Sequence, residues 1–261
     1  GFKSGVIVIG TANGANIHDT VINSSSNGTH GIKYDWNAAG DESGGGWLYG
    51  LNINRCTINV GGDGFAIEMF NCYANGSTAS DFGNNTLNRA CSMGGQKDWT
   101  ATSDGVIDVR YHDNRHTSSW GMSFECQGGD FEIDHNYFYN PGVEGIAIWN
   151  AGDSGPRKNY YIHHNVFESS DTNADNTGIK FQGLGSGAGD DQNAHIYNNT
   201  FYNIRRGILL KTNGDSERVK HVEIENNEFH GVSLRPIEVY RQTTGAFDRI
   251  TITNNNNYAG A

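Results

Sequence analysis

A short phrase with isoleucine first, asparagine fourth and phenylalanine sixth recurs along the second half of the chain. Clear copies occupy residues 133–138, 162–167, 196–201 and 224–229, and a shorter copy lies at residues 252–255. A weaker copy lies at residues 111–114, and degenerate copies begin at Ile17 and Ile53, where Thr20 and Cys56 replace the asparagine. The spacing of successive asparagines is uneven, shortest from Asn114 to Asn136 and longest from Asn165 to Asn199. This variation indicates loops of different length around a constant core unit.

A second phrase, in which apolar residues alternate with others, lies between the copies of the first. It begins with glycine in six of its seven copies, at residues 31–35, 64–68, 121–125, 145–149, 178–182 and 207–211, and with Pro236 in the seventh. Alternation with a period of two is typical of a half-buried β-strand. Each repeat therefore contains a few short strands and no helical stretch.

These repeats predict an all-β solenoid. Strands this short cannot form a core alone, but coils stacked on one another enclose a continuous apolar column. Asparagine tolerates the left-handed backbone of a tight corner, and its amide can bond to the equivalent residue of the next coil. Over residues 5–258 the chain resembles the right-handed parallel β-helix of the pectate-lyase-like superfamily, whose coils carry an asparagine ladder between their second and third sheets.

The predicted organisation is one parallel β-helix domain over residues 1–261. We expect about seven to eight coils, with an asparagine ladder and long loops on one side. Neither end of the sequence has an obvious cap, and an uncovered solenoid end invites edge pairing. We therefore expect the domain to be part of a longer protein with flanking domains.

Composition and charge narrow the range of functions. The 12 phenylalanines, 12 tyrosines and 5 tryptophans show that the 36 glycines and 32 asparagines belong to a turn-rich folded protein rather than a disordered one. A formal net charge of −11 repels phosphate backbones, so nucleic acid is an unfavourable partner. No apolar run reaches membrane-spanning length, and we expect no membrane insertion.

Alignment of the second phrases on their first residues gives two predicted columns of outward side chains. The first column reads Lys33, Ala66, Ser123, Ala147, Lys180, Leu209 and Glu238, and the second reads Asp35, Glu68, Glu125, Trp149, Gln182, Lys211 and Tyr240. Adjacent parallel strands lie about 4.8 Å apart. The alignment therefore predicts three carboxylates stacked on consecutive coils beside a tryptophan.

Stacked carboxylates are suited to glycosidic cleavage, which needs one protonated acid beside one ionised base. Glu68 and Glu125 are the leading catalytic pair, because neighbouring coils would give them about the separation of a retaining pair. Asp35 and Glu125, two coils apart at about 9.6 Å, would approach the inverting range.

The surroundings of these acids favour a sugar-binding groove. Tryptophan and tyrosine offer flat apolar faces on which pyranose rings stack, and charged residues just before the phrases could form a rim. The candidate substrate-binding residues are Trp149, Trp120, Trp36, Tyr240, Asp63, Glu144, His30, Arg206, Lys33, Lys180, Gln182 and Lys211.

Residues 71–105 are predicted to form a long insertion loop near this groove. The segment is rich in glycine, serine, asparagine and threonine, and long loops inside compact domains are usually functional or disordered. It contains Cys72 and Cys91, which with Cys56 and Cys126 permit two disulfide bridges or none.

The favoured function is a secreted or cell-surface glycoside hydrolase that acts on an acidic, chondroitin-like polysaccharide and needs no metal or other cofactor. One acid of the Glu68 and Glu125 pair would protonate the leaving oxygen, and the other would act as nucleophile or activate water. The repeated phrases also resemble those of disaggregatase-related β-helix proteins of archaea, which implies a substrate in a cell-aggregate matrix.

Two other functions fit the same residues. A polysaccharide lyase or uronate epimerase would use Ca²⁺, held by Asp35, Glu68 and Glu125, because oxygen donors suit that ion. Its base would be Lys180, Lys211 or Arg206. The other alternative is a non-catalytic carbohydrate-binding or adhesive solenoid.

Overall fold

The protein is described here by a computed structural model that covers residues 5–9, 12–25, 30–34, 46–62, 64–73, 79–95, 107–117, 121–127, 129–150, 158–170, 176–183, 192–212, 218–241 and 245–258. Within these ranges the chain contains only strands, turns and bends. Accordingly, the described residues include no helix of the length and hydrophobicity needed to cross a membrane.

The strands form three sheets, and neighbouring strands in each sheet are parallel. Sheet 1 consists, in spatial order, of Gly5–Ile9, His30–Tyr34, Ile67–Tyr73, Cys91–Gly95, Met122–Gln127, Glu144–Asn150, Thr177–Gly183, Arg206–Thr212 and Arg235–Arg241. A side branch of this sheet pairs Gly46–Tyr49 with both Ala12–Asn13 and Ile67–Tyr73.

Sheets 2 and 3 repeat the same order of coils. Sheet 2 consists of Asn16–His18, Asn52–Asn54, Ser80–Gly83, Ile107–His112, Gly129–Asp134, Lys158–His163, Gln192–Tyr197, Arg218–Glu225 and Ala246–Thr253. Sheet 3 consists of Val21–Ser24, Thr57–Val60, Thr86–Leu87, Arg115–His116, Tyr137–Tyr139, Val166–Glu168, Thr200–Tyr202, Glu228–His230 and Asn256–Tyr258. The chain passes from sheet 1 to sheet 2 to sheet 3 in each coil, which is the architecture of a parallel β-helix. The predicted fold class is confirmed.

The prediction that residues 71–105 form an insertion loop is wrong for the part of this segment that the structure describes. Ser80–Gly83, Thr86–Leu87 and Cys91–Gly95 contribute one strand to each of the three sheets. They form a complete coil between the coils of Glu68 and Glu125. Sheets 2 and 3 therefore contain nine described strands each, one more than the upper bound of the predicted coil number.

Buried asparagines at the corner between sheets 2 and 3 are hydrogen-bonded from coil to coil. Each Nδ2 donates to the Oδ1 of the next asparagine over distances of 2.9–3.1 Å. The same Oδ1 atoms accept a backbone N–H from the preceding coil at 2.9–3.1 Å. The stacked residues are Asn85, Asn114, Asn136, Asn165, Asn199, Asn227 and Asn255.

The residue before each of these asparagines has a left-handed backbone. Its φ lies between 52° and 58° at Asn84, Asp113, His135, His164, Asn198, Asn226 and Asn254. Asparagine and aspartate occupy this conformation at lower cost than other non-glycine residues. The sharp corner and the stacked amides thus explain why polar residues recur in pairs along the sequence.

Inside the coil, inward side chains of successive rungs stack on one another. Phe138, Phe167, Phe201 and Phe229 lie ring on ring with centroids 4.8–4.9 Å apart. His116 continues this stack at 4.9 Å from Phe138. Offset stacking of this kind adds to the stabilisation from burial of each ring.

Three of the four cysteines belong to this interior. Cys56, Cys91 and Cys126 are buried free thiols, and the side chain of Cys72 lies outside the described set. Burial raises the pKa of Cys91 to about 12, so this thiol is kept in its neutral form. Of the two alternatives left open by the sequence, the two-bridge arrangement is excluded.

We predict that Asn165→Ala lowers the free energy of unfolding by about 3 kcal/mol. The change leaves the N–H of Asn136 and the carbonyl of Ile133, both bonded to the Asn165 amide, without partners in the interior, and each unpaired group costs about 1–3 kcal/mol. Urea denaturation measures the loss. The control is Asn23→Ala, because Asn23 is exposed on sheet 3. This substitution should lower the free energy of unfolding by less than about 0.5 kcal/mol. Equal losses in the two variants would contradict the role given to the buried amide.

We predict that His116→Phe makes the free energy of unfolding less dependent on pH under acidic conditions. Burial lowers the pKa of His116 to about 3, from 6.5 for an exposed histidine. Between these values the unfolded chain binds a proton that the folded chain excludes, so stability falls as the pH is lowered. Urea denaturation at pH 7 to 4 should show a slope smaller by about 1.4 kcal/mol per pH unit in the variant. Parallel curves for the variant and the wild type would mean that His116 is not kept neutral.

Candidate active site

The outward face of sheet 1 carries the acids and bases that the sequence singled out, but in a different register. Strand pairing aligns one side chain per rung along the whole face. We call this set the central column; it consists of Lys33, Glu68, Ser92, Glu125, Ala147, Lys180, Leu209 and Glu238.

The predicted columns are therefore wrong for the coils of Glu68 and Glu125. Glu68 is paired with Lys33 rather than with Asp35, and Glu125 is paired with Ala147 rather than with Trp149. The error is two residues in each case.

The glycines that begin the phrases do not all occupy the same backbone position, which explains the error. A Cβ at Gly145 or Gly178 would lie within 2.7 Å of a stacked phenylalanine ring, so these residues must be glycine where the strand meets sheet 3. Gly121 instead has a φ of +83° and belongs to the turn before its strand. Alignment of the phrases on their first glycine therefore treated a glycine within a strand and a glycine in a turn as equivalent.

Glu68 and Glu125 lie two rungs apart, because Ser92 of the additional coil stands between them. Two rungs correspond to about 9.6 Å between backbone positions. The prediction of adjacent acids at the spacing of a retaining pair is wrong. This backbone spacing is close to the upper limit of the carboxyl separation in an inverting pair, in which a water molecule fits between substrate and base.

Glu125 is a largely buried carboxyl with one strong hydrogen bond. Ser92 Oγ donates to Glu125 Oε2 at 2.5 Å. Burial raises the pKa of Glu125, and the nearby acids Glu144 and Glu68 raise it further, while the Ser92 hydrogen bond and Lys180 act in the opposite direction. The net result is a raised pKa, which favours a protonated Glu125.

Glu68 has a contrasting environment. Its Oε2 lies 3.3 Å from His30 Nδ1 and 3.7 Å from Lys33 Nζ. This oxygen is buried, and among the described residues no donor reaches it with hydrogen-bond geometry. Glu68 thus has an imidazole and a lysine beside it, and its Oε2 is an acceptor that no donor among the described residues satisfies.

Further along the same face, an open groove with a volume of about 390 Å³ brings together several predicted substrate-binding residues. Lys180 Nζ contacts Glu144 Oε1 at 3.1 Å, and Arg206 Nε contacts Glu238 Oε2 at 3.0 Å. Arg235 forms a second ion pair with Glu238. The groove is lined by Val143, Glu144, Thr177, Lys180, Arg206, Leu209, Lys211, Glu238 and Tyr240.

An aromatic platform borders the groove at its far rung. Lys211 Nζ lies 5.8 Å from the centroid of the Tyr240 ring, and 43% of Tyr240 is exposed. Gln182 aligns with Lys211 as predicted, but it is only 4% exposed and is not a groove-lining residue.

Several other predicted site residues cannot be compared with the structure. Asp35, Trp36, Asp63 and Trp120 lie outside the described residues, as does the side chain of Trp149. Within the described part of the chain, no three acidic, histidine or cysteine side chains cluster in a way that could hold a metal ion.

Sequence reasoning missed Ser92 and did not include Glu238 among the site residues. Ser92 lies in the segment that was interpreted as a loop, although Cys91-Ser92-Met93 shows the alternation of a strand. Glu238 aligns with Leu209 and Lys180 in the central column, and its role depends on contacts with arginines of neighbouring positions.

We predict that Ser92→Ala raises the pKa of Glu125 further. The variant loses the hydroxyl donor that stabilises the ionised carboxylate, while the burial of Glu125 remains. Carbon-13 NMR of the glutamate carboxyl groups across a pH titration measures the change. Ser80→Ala, a buried serine of sheet 2, is the control and should leave the Glu125 titration unchanged. A lowered or unaltered pKa in Ser92→Ala would contradict the assigned hydrogen bond.

Comparison with known proteins supports the architecture. Residues 185–261 match the family model of the right handed beta helix region. No curated protein and no solved structure matches the chain. The resemblances to pectate-lyase-like and archaeal disaggregatase-related proteins stay predictions. The matched region contains the last coils of a stack of parallel sheets that begins at Gly5–Ile9, and the protein thus has the fold of a right-handed parallel β-helix.

Proposed function

We propose that the protein is an inverting glycoside hydrolase that cleaves an acidic extracellular polysaccharide. The observation that carries the proposal is the pair of acids in the central column, Glu68 and Glu125, which are two rungs apart and have opposite environments. The parallel β-helix is compatible with carbohydrate-active and carbohydrate-binding proteins, although the fold alone does not decide between them.

Glu125 is the proposed general acid. Burial raises the pKa of this carboxyl group, which is the direction of shift that the acid of a glycosidase requires. The bond from Ser92 occupies Oε2, so Oε1 can carry that proton to the leaving oxygen. Protonation of the leaving group by a positioned acid contributes about 10²–10⁴-fold to the rate.

Glu68 is the proposed general base. His30 Nδ1 and Lys33 Nζ lie beside its carboxyl group, at 3.3 and 3.7 Å from Oε2. Its buried Oε2 lacks a hydrogen-bond donor among the described residues, and the proposal assigns the carboxylate to accept a proton from the attacking water. With the sugar over Ser92, that water would attack from the face opposite to Glu125.

The groove beyond Glu125 is suited to binding the acidic sugar units of the polysaccharide. Lys180 and Arg206 line this groove and are ion-paired with Glu144 and Glu238, and their positive charges would attract a carboxylate of the substrate. Tyr240 supplies an exposed ring for stacking. The local cations offset the repulsion between an anionic polymer and a chain of net charge −11.

One observation favours a lyase as the alternative. Lys180, Arg206 and Lys211 line the same groove, and a lyase needs both a base and a cation that neutralises the substrate carboxylate. A lyase would leave an unsaturated product that absorbs ultraviolet light, whereas hydrolysis gives a new reducing end without absorbance.

We predict that Glu125→Gln and Glu68→Gln each reduce cleavage of an acidic polysaccharide at least about 10²-fold. The assay measures reducing ends and ultraviolet absorbance together on chondroitin, hyaluronan, alginate and polygalacturonate. Glu228→Gln is the matched control, because Glu228 is a half-exposed acid on sheet 3, and it should retain full activity. Proton NMR of the first product formed should show inversion at the anomeric carbon.

The other outcomes would each replace this proposal. Ultraviolet absorbance would identify a lyase, and retention of configuration would exclude the two-rung pair as acid and base. Binding without either product would identify a carbohydrate-binding solenoid.

A further inference from the structure

A second groove, with a volume of about 560 Å³, lies on the outer face of sheet 2, away from the central column of sheet 1. It spans four successive coils and is open to solvent. It is lined by Tyr161, Asn193, Ala194, His195, His221, Glu223, Arg249 and Thr251. None of these residues takes part in the cleavage chemistry proposed for sheet 1.

The backbone under this groove is unusual at two successive rungs. His221 and Arg249 have φ values of 51° and 53°, a left-handed conformation that costs a non-glycine residue roughly 1–2 kcal/mol. The strands pair regularly on both sides of these residues, at Lys220 with Asp248 and at Val222 with Ile250. Both residues line the groove, and strained backbone of this kind is common at functional sites.

An exposed aromatic ring lies at one end of the groove. Tyr161 is 47% exposed, and strand pairing aligns it with His195 and then with Glu223. The His195 ring is held in place by a 2.8 Å contact of Nε2 with Glu225 Oε1 and by packing at 4.2 Å from Tyr197. The groove therefore has a flat apolar face next to a fixed imidazole.

Three of the remaining polar side chains of the groove have no protein partner among the described residues. Within the described ranges, the side chains of His221, Glu223 and Thr251 form no hydrogen bond or ion pair with another residue, in contrast to the paired charges of the sheet 1 groove. Asn193 is held by a 3.1 Å bond to Asn159, and Arg249 has only a 3.5 Å contact with Asp248. Donors and acceptors thus surround one exposed ring.

We propose that this groove is a second, non-catalytic saccharide-binding site. A pyranose ring stacks on Tyr161, and its hydroxyl groups bond to Asn193, Glu223 and Thr251. Arg249 contacts a carboxylate of the next unit. The choice of an acidic sugar rests on the proposed function, whereas the site itself rests on the geometry of sheet 2. The site would hold the polymer to the side of the solenoid while another segment occupies sheet 1.

The test uses the whole chain with Glu125→Gln, so that bound sugar is not consumed. Titration calorimetry with hexasaccharides of chondroitin, alginate and polygalacturonate should reveal two sites on at least one of them. Adding Tyr161→Ala should weaken one site about tenfold or more, the effect expected from loss of a stacked ring. Tyr161→Phe should retain both sites and shows that the position tolerates substitution. Tyr202→Ala, which removes an exposed tyrosine of sheet 3, is the control and should change neither site.

Ring-proton NMR signals of His195 and His221 should shift when the sugar is added, and the shifts should disappear in Tyr161→Ala. A single site unaffected by Tyr161→Ala, or no binding of any hexasaccharide, would overturn the second site. Tyr161-dependent binding in a chain whose wild type cleaves nothing would support the second site and reject the hydrolase. Cleavage by the wild type, together with binding that Tyr161→Ala does not weaken, would support the hydrolase and reject the second site.

Discussion

The amide-to-amide hydrogen bonds between stacked asparagines are the constraint on which the rest of the structure depends. Each stacked amide, such as that of Asn136, bonds to the next amide and to backbone groups of neighbouring coils. A shift of one residue would leave these groups unpaired in the interior, at a cost of about 1–3 kcal/mol for each. The same shift would also turn the apolar side chains outward. The ladder and the core thus select the same register, and that register decides which side chains meet on the outer faces.

On sheet 1 this register separates like charges and brings opposite charges together. Ser92 stands between the two acids Glu68 and Glu125, and Lys33 lies on the rung next to Glu68. Glu125 therefore lies half-buried beside a hydroxyl donor, whereas Glu68 lies beside Lys33 and the imidazole of His30. The two carboxyl groups thus have different neighbours, and the proposed hydrolase assigns the role of acid to Glu125 and the role of base to Glu68.

The fold could be predicted from the sequence because the Ile-x-x-Asn-x-Phe phrase reports both the core and the corner. The candidate site was predicted only in part, since register depends on the exact number of coils and on the position of each glycine. The coil of residues 79–95 was missed because Leu87 replaces the phenylalanine and Phe82 replaces the isoleucine, although Asn84 and Asn85 mark its corner. The burial of a side chain and its hydrogen-bond partners, such as Ser92 for Glu125, depend on residues that are distant in the sequence.

The register of sheet 1 can be tested most directly by disulfide formation between pairs of introduced cysteines. Residues on adjacent rungs, about 4.8 Å apart, are within the roughly 4.4–6.8 Å range of bridged Cα atoms, whereas residues two rungs apart exceed about 7 Å and are not. Glu68→Cys combined with Ser92→Cys should oxidise to a bridge, identified by mass spectrometry of the non-reduced peptides. Glu68→Cys combined with Glu125→Cys should not. A bridge in the second pair and none in the first would mean that the two acids are adjacent and that the register described here is wrong.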